Sequence, residues 1–207
     1  MEIAIENIDK FWAWFVKHIG FIETVLEGRH HEDAWVVGKA VDRFLPGLQW
    51  EAGPGLAKPI AFTISPDGDP AKLAIAEAVI ARAPAMDGWE FHATKPPKRW
   101  NFTICLRGPA GDTKFDCGAF RYVLTKYGGG KFYDICFYHE DQITGVPSPL
   151  LLARLLAEGC LGERLMLMMV GRVTLDPISS CTHRESLSEV QHLSEHFNSC
   201  LSAPAKP

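Results

Sequence analysis

Hydrophobic positions in the N-terminal third of the chain recur at steps of three and four residues, which is the spacing of one face of an α-helix. The first stripe predicts a helix that ends near Gly28, because glycine accepts the left-handed conformation of a helix stop. A second helix begins after its cap residue Asp33 and bends or ends at Pro46. The apolar positions are Ile8, Phe11, Trp12, Phe15, Ile19 and Ile22 in the first helix, and Ala34, Val37, Val41, Phe44, Leu45 and Leu48 in the second.

After Gly53-Pro54-Gly55 the pattern becomes that of a strand–helix–strand unit, which runs from Ile60 to Pro96. Ile60–Ile64 is a short β-type run. Asp69-Pro70 is typical of a helix start, because aspartate caps a helix and proline is accepted in its first turn. Trp89–Thr94 then alternates apolar and polar residues, which predicts a half-buried strand.

The chain after Pro96-Pro97 has a β-rich pattern followed by further helices. This order predicts an α+β fold in which helices pack on a mostly antiparallel sheet, with two helices at the N-terminus. It predicts a single globular domain over residues 1–201 and a disordered tail over 202–207. The predicted elements are strands at 100–106, 120–127 and 132–138, a hairpin loop at 128–130, a helix from Ser148-Pro149 through Ala157, a buried strand at 164–175 and a closing amphipathic helix at 186–201.

Composition narrows the classes of partner and compartment. The chain has 207 residues with a formal net charge of −4, so it has no general attraction to phosphate backbones or anionic lipid. The acidic first residues lack the basic start of a secretory signal, and the longest apolar runs, such as 165–170, are too short to cross a bilayer. We therefore expect a cytoplasmic protein that binds no membrane, and we expect its six scattered cysteines to be buried, reduced thiols.

Several short stretches resemble a family of uncharacterised bacterial proteins. The resemblance is carried by a Trp-Glu-x-Gly-Pro-Gly pattern at 50–55, by 62–69, by Gly88-Trp89-Glu90-Phe91 and by Leu161-Gly162-Glu163. It covers most of the chain from the second helix onward. It implies a bacterial protein of one domain, and it implies no activity, cofactor or site residue.

His192-Leu193-Ser194-Glu195-His196 matches the His-x-x-Glu-His pattern of some zinc proteases. Two histidines four residues apart on a helix can bind one zinc ion. At about 100° per residue, however, both histidines point roughly 130° away from the apolar stripe of the predicted helix, toward solvent. No acidic residue follows His196 to complete a site. We therefore predict no metal site here, apart from adventitious binding at the surface.

Two further patterns favour ordinary structure over a metal or cofactor. His30-His31-Glu32-Asp33 is dense in possible ligands, but adjacent side chains rarely converge on one ion, and a turn followed by a helix cap explains it. Gly128-Gly129-Gly130-Lys131 lacks the spacing of a phosphate loop and the hydroxyl that should follow its lysine. No cofactor is predicted.

The remaining candidates are possible ligand-binding residues. Lys95, Lys98, Arg99 and Trp100 form a basic cluster with an aromatic neighbour, which could hold a phosphate or stack a base. Solvated charges in a Pro-Pro connection are the alternative, and so few cations argue against a nucleic-acid partner. His92 lies on the polar edge beside this cluster. Glu163 precedes an apolar run, where a carboxylate must be paired or hydrogen-bonded, so a structural role is favoured over a catalytic one.

Two functional hypotheses follow. The first is a non-enzymatic binding or regulatory protein that meets a protein partner, or a second copy of itself, through the sheet face or the aromatic N-terminal helix at Trp12, Trp14 and Phe15. The alternative is a hydrolase or other small-molecule enzyme with a pocket near the candidate residues. Those residues are His92, Lys95, Trp100 and Glu163.

Overall fold

The computed structural model confirms the α+β fold with mostly antiparallel sheets. It describes residues 3–27, 33–108, 111–127, 131–140, 148–182 and 184–202. Contacts divide the chain into two compact units, residues 1–95 and residues 96–207, each with its own hydrophobic core. The expectation of one domain stays a prediction. None of the described helices is long and apolar enough to cross a membrane.

The first unit begins with three helices rather than the predicted two. The first predicted helix is divided at His18, whose backbone leaves the helical region (φ −108°, ψ 13°). The Trp14 carbonyl accepts a hydrogen bond from the His18 ring Nδ1–H at 2.7 Å, in addition to the one from the His18 backbone N–H. The predicted stop at Gly28 lies outside the described residues. The helices are α1 (Ile5–Lys17), α2 (Ile19–Leu26) and α3 (Ala34–Phe44).

The strand–helix–strand unit predicted from Ile60 onward is present. It comprises β2 (Ile60–Ser65), α4 (Leu73–Ile80) and β3 (Trp89–His92), and β2 and β3 pair in parallel. The Asp69 carboxylate accepts a hydrogen bond from the Ala71 N–H at 3.0 Å, as expected of a cap. The sequence pattern did not predict β1 (Gln49–Pro54), which pairs antiparallel with β2, because it is short and contains glycine and proline.

Aromatic residues of α1 form the core of the first unit. Phe11, Trp12 and Phe15 are buried against the sheet, and the Trp12 Nε1–H donates to the Val79 carbonyl at 2.9 Å. Trp14 is half-buried and its ring stacks on His18. The hypothesis that α1 presents Trp12 and Phe15 to a partner is therefore wrong, because the apolar stripe of this helix packs on its own sheet.

The second unit contains a two-stranded hairpin and a four-stranded sheet. The sheet has the strand order β8 (Val170–Pro177), β7 (Phe132–His139), β6 (Arg121–Tyr127) and β9 (Ser188–Glu189). The predicted hairpin of β6 and β7 is confirmed, while its loop at 128–130 lies outside the described residues. The hairpin strand β5 was not predicted, because Gly111–Asp116 is polar and exposed. The two strands of this hairpin are β4 (Thr103–Gly108) and β5 (Gly111–Asp116).

Helices α5 (Pro149–Leu161), α6 (Glu163–Met169) and α7 (Leu193–Ser202) complete the second unit. The predicted strand at 164–175 is wrong in its first half, where α6 precedes β8. A short run of Leu and Met fits a buried strand or a helix equally well. The closing helix begins at Leu193 instead of residue 186, after β9 and a 3-10 turn, and it still includes Ser202 of the predicted tail.

Candidate functional site

His92, the candidate at the end of β3, is engaged with another side chain. Its Nε2 lies 3.0 Å from the Oε1 atom of Glu90, and 27% of the side chain is exposed. Because an ionised carboxylate only accepts hydrogen bonds, Nε2–H is the donor in this contact. Glu90 therefore decides what His92 can do.

The carboxylate of Glu90 is bound by three consecutive backbone N–H groups of the loop after β1. Leu56 donates to Oε1 at 2.6 Å, and Ala57 and Lys58 donate to Oε2 at 2.8 and 3.0 Å. The hydrogen bond from His92 and those from the backbone lower the pKa of Glu90 to about 2. A carboxylate with this many donors and so low a pKa is a structural anion, not a proton donor or acceptor near neutral pH.

Glycine at position 55 is required by this arrangement. A Cβ there would lie 2.9 Å from the Glu90 carboxylate and would overlap the Lys58 carbonyl. The Trp-Glu-x-Gly-Pro-Gly pattern therefore ends in the loop that binds the glutamate of Gly88-Trp89-Glu90-Phe91. Two of the stretches that carry the resemblance meet in one structural clamp, in which Glu90, Gly55 and Leu56–Lys58 fix the loop to β3.

The basic cluster is divided between the two units. Lys95 belongs to the first unit, where it is half-buried and has a polar or charged partner. Lys98 and Arg99 belong to the second unit and are exposed. The Lys98 N–H donates to the Gly159 carbonyl at 2.8 Å, so this segment is fixed to the end of α5.

The Trp100 side chain is partly buried and packs on neighbouring residues. Its indole ring covers Gly159 so closely that a Cβ at that glycine would overlap the ring, and it lies 5.5 Å from the Phe102 ring. The part of the ring that covers Gly159 is therefore not available for stacking on a base. Folding therefore explains why an aromatic residue follows the basic pair.

Glu163 is 1% exposed and is the first residue of α6, not the entrance to a strand. Gly162 before it has a φ of +78°, which separates α5 from α6. A carboxylate in the first turn of a helix interacts favourably with the helix dipole, and Glu163 also has a polar partner. These contacts favour the structural role expected for it.

The histidine pair of the zinc-protease pattern does not form a helical ligand pair. His192 lies in a 3-10 turn before α7 and His196 lies in the helix. Both are exposed, as their angular distance from the apolar stripe predicted. The His196 Nδ1 shares a hydrogen bond of 2.8 Å with the Tyr122 hydroxyl. Over the described ranges, no three His, Cys, Asp or Glu side chains are grouped so that they could hold a metal ion. His30, His31 and Glu32 fall outside those ranges.

The sequence pattern did not single out an exposed aromatic pair at the loop end of the β6–β7 hairpin. Tyr127 and Phe132 are paired in the antiparallel register, and their ring centroids are 6.0 Å apart with an interplanar angle of 29°. Their side chains are 42% and 43% exposed. Together the two rings form a contiguous exposed apolar surface, and interaction sites use surfaces of this kind.

Polar neighbours fix the position of this pair. Burial of the Tyr127 hydroxyl and the nearby Asp134 carboxylate raise the pKa of Tyr127. The Asp134 carboxylate accepts a hydrogen bond from the backbone N–H of Arg172 at 2.9 Å. The tyrosine hydroxyl lies directly over Gly171, where a Cβ would overlap it. Tyr127, Phe132, Asp134, Gly171 and Arg172 are called the aromatic platform below.

A cleft of about 320 Å³ lies at the other end of the same strands. Arg121 and Tyr127 are six residues apart on β6, so alternation places both on one face of the sheet. In the cleft, the Arg121 guanidinium pairs with the Glu189 carboxylate at 2.7 Å. Burial raises the pKa of Tyr138 to about 12, so its hydroxyl is protonated near neutral pH. The other lining residues are Gly118, Ala119, Glu140, Ile178 and Gln191.

Comparisons with known proteins found no match to this chain among protein-family models, curated proteins or solved structures. The functional proposals below therefore depend on the geometry of the described residues.

Proposed function

We propose that the chain is a cytoplasmic bacterial binding or regulatory protein that meets a protein partner through the aromatic platform. The observation that carries this proposal is the pair of stacked, exposed rings of Tyr127 and Phe132. Tyrosine, phenylalanine and arginine are enriched in protein interfaces. The two aromatic side chains bury a large area with few rotatable bonds.

The fixed geometry of the platform supports this role over that of an accidental patch. A side chain that is already ordered loses less conformational entropy on binding. Gly171 leaves room for the Tyr127 hydroxyl, which lies over this glycine near the Asp134 carboxylate. Glycine weakens a strand interior, so its presence in β8 has a local cost that the position of the tyrosine explains. The residues act as a unit, and changing any of them should affect the same contact.

Site-specific photo-cross-linking tests the proposal. A benzophenone amino acid at position 132 keeps an aromatic ring on the platform, and the full chain carrying it is irradiated in cells of the source organism. We expect one discrete adduct, and we expect Tyr127→Ala in the same chain to abolish it. The matched control places the benzophenone at Trp35, which is 55% exposed on α3 of the other unit. Absence of an adduct at 132, or the same adducts at both positions, would overturn the proposal.

The cleft favours a second candidate, a small-molecule enzyme or binding protein. Its volume is at the lower end of the range for ligand pockets, and Arg121, Tyr138 and Gln191 bring polar groups together there. The sequence-based version, with a pocket near His92, Lys95, Trp100 and Glu163, also remains a proposal. Differential scanning fluorimetry against a metabolite library tests the cleft. A stabilising compound whose effect is lost in Arg121→Ala and kept in Tyr127→Ala would support it, and no such compound would count against it.

A further inference from the structure

We infer that the segment bound by the aromatic platform is acidic and carries an apolar residue between its carboxylates. This inference rests on the proposed function, because it specifies the partner of the same surface. It is drawn from the charges beside the two rings.

Arg172 provides the first of these charges. Its side chain is 70% exposed, and its Nε lies 3.6 Å from the Asp134 Oδ2, which is a long contact for an ion pair. Most of the guanidinium is therefore in solvent, and such a fork fits a carboxylate through two parallel hydrogen bonds. Arg172 is thus a ready binding group for an Asp or Glu of a partner.

Lys131 provides a second positive charge. It directly precedes Phe132 and is exposed. With Asp134 as the one carboxylate of the platform, Lys131 and Arg172 leave a local charge of +1, whereas the whole chain has −4. A local charge opposite in sign to that of the molecule favours an acidic partner by electrostatic complementarity.

The rings define the apolar part of the ligand. Tyr127 and Phe132 present flat apolar surface near Arg172, and Lys131 adjoins Phe132 in the chain. An aliphatic or aromatic side chain of the partner would pack on the rings while flanking carboxylates reach the two cations. A single-stranded nucleic acid would also offer stacking groups and negative charge. It is disfavoured, because two cations make too few phosphate contacts for useful affinity.

Selection from a display library of random peptides of about twelve residues tests the inference. The full chain is the bait, and the double variant Tyr127→Ala, Phe132→Ala removes peptides that bind elsewhere. We expect the enriched peptides to carry an apolar residue flanked by Asp or Glu. For an enriched peptide, Lys131→Glu combined with Arg172→Glu should weaken binding by about tenfold or more, as measured by fluorescence anisotropy.

Lys10→Glu combined with Arg43→Glu is the matched control. It makes the same change of net charge on exposed residues of the first unit, and it should change affinity by less than about twofold. Three outcomes would overturn the inference. The enriched peptides lack acidic residues, or Lys131→Glu combined with Arg172→Glu leaves the affinity unchanged. The third is that an oligothymidylate of about fifteen nucleotides binds more tightly than the enriched peptides. If the photo-cross-link at position 132 forms under any of these outcomes, only the acidic partner is refuted. If the cross-link also fails, the platform itself is refuted.

Discussion

Replacement of Glu90 by glutamine should destabilise the first unit, because it removes the anion from the clamp formed with Gly55 and Leu56–Lys58. The amide keeps one accepting oxygen, but its NH₂ group would face backbone N–H donors. A pKa of about 2 instead of the ordinary 4.5 corresponds to at most about 3 kcal/mol of stabilisation. Only 12% of the Glu90 side chain is exposed, but the loop N–H groups that bind it lie at the surface. Solvent therefore screens these hydrogen bonds. We therefore expect a loss of about 1–2 kcal/mol.

The pH dependence of the loss follows from the sign of the shift. The pKa of Glu90 is lower in the folded state than in the unfolded chain, so the ionised carboxylate stabilises the fold fully above pH 4.5. That stability disappears as the pH falls from 4.5 toward 2, where the carboxylate becomes protonated. The difference between wild type and Glu90→Gln should therefore be largest near neutral pH and should fall to less than half at about pH 3.

Urea unfolding followed by tryptophan fluorescence measures this difference. Trp12, Trp14, Trp35, Trp50 and Trp89 lie in the first unit and only Trp100 in the second, so the signal reports chiefly on the unit that contains the clamp. Glu6→Gln, the same chemical change at an exposed position of the first unit, is the control and should stay within about 0.5 kcal/mol of wild type. Equal stability of Glu90→Gln and wild type at pH 7, or a loss that is undiminished at pH 3, would refute the reasoning.

Two further outcomes are expected in vitro. Gly159→Ala should lower the free energy of unfolding in urea by about 1–3 kcal/mol, because the new methyl group overlaps the Trp100 ring. Gly20→Ala in α2 meets no atom within 4 Å and should stabilise by up to about 1 kcal/mol. Stabilisation by both changes would show that Trp100 moves freely. The expectation that the cysteines are buried is wrong for Cys105, which is exposed at the edge strand β4. In iodoacetamide labelling at pH 8 followed by mass spectrometry, Cys105 should therefore react first and Cys117 and Cys160 last, because burial raises the pKa of each of the latter thiols to about 12. Labelling of Cys117 as fast as Cys105 would contradict that burial.

Local patterns were sufficient where one element carried its own signal. The cap at Asp69, the buried face of α4 and the alternation that begins at Trp89 each specify conformation over a few residues, and the parallel unit they predict is present. The run after Glu163 had no such signal. A stretch of Leu and Met satisfies both a buried strand and a helix, and only the position of Gly162 and the packing around it select α6.

The candidate site shows the same division. Exposure of His192 and His196 followed from the apolar stripe, since that stripe fixes which side of the chain faces the core. The structural role of Glu90, the partner of His92, could not be predicted. The three N–H groups that bind its carboxylate come from a loop more than thirty residues away in sequence. The platform was also missed: Tyr127 and Phe132 flank a run of glycines that marks the hairpin, but their exposure and their contact with β8 are visible only in the folded sheet.

The sequence by itself therefore determined the α+β class, the strand–helix–strand unit and the solvent-facing histidines, because helix and strand periodicities and caps act between neighbours in the chain. Tertiary structure decided the division of α1 from α2, the burial of Trp12 and Phe15, the clamp on Glu90 and the aromatic platform. Each of these depends on which distant side chains and backbone groups meet, and on the space that glycines at 55, 159 and 171 leave for them. Local propensity contains no information about that space.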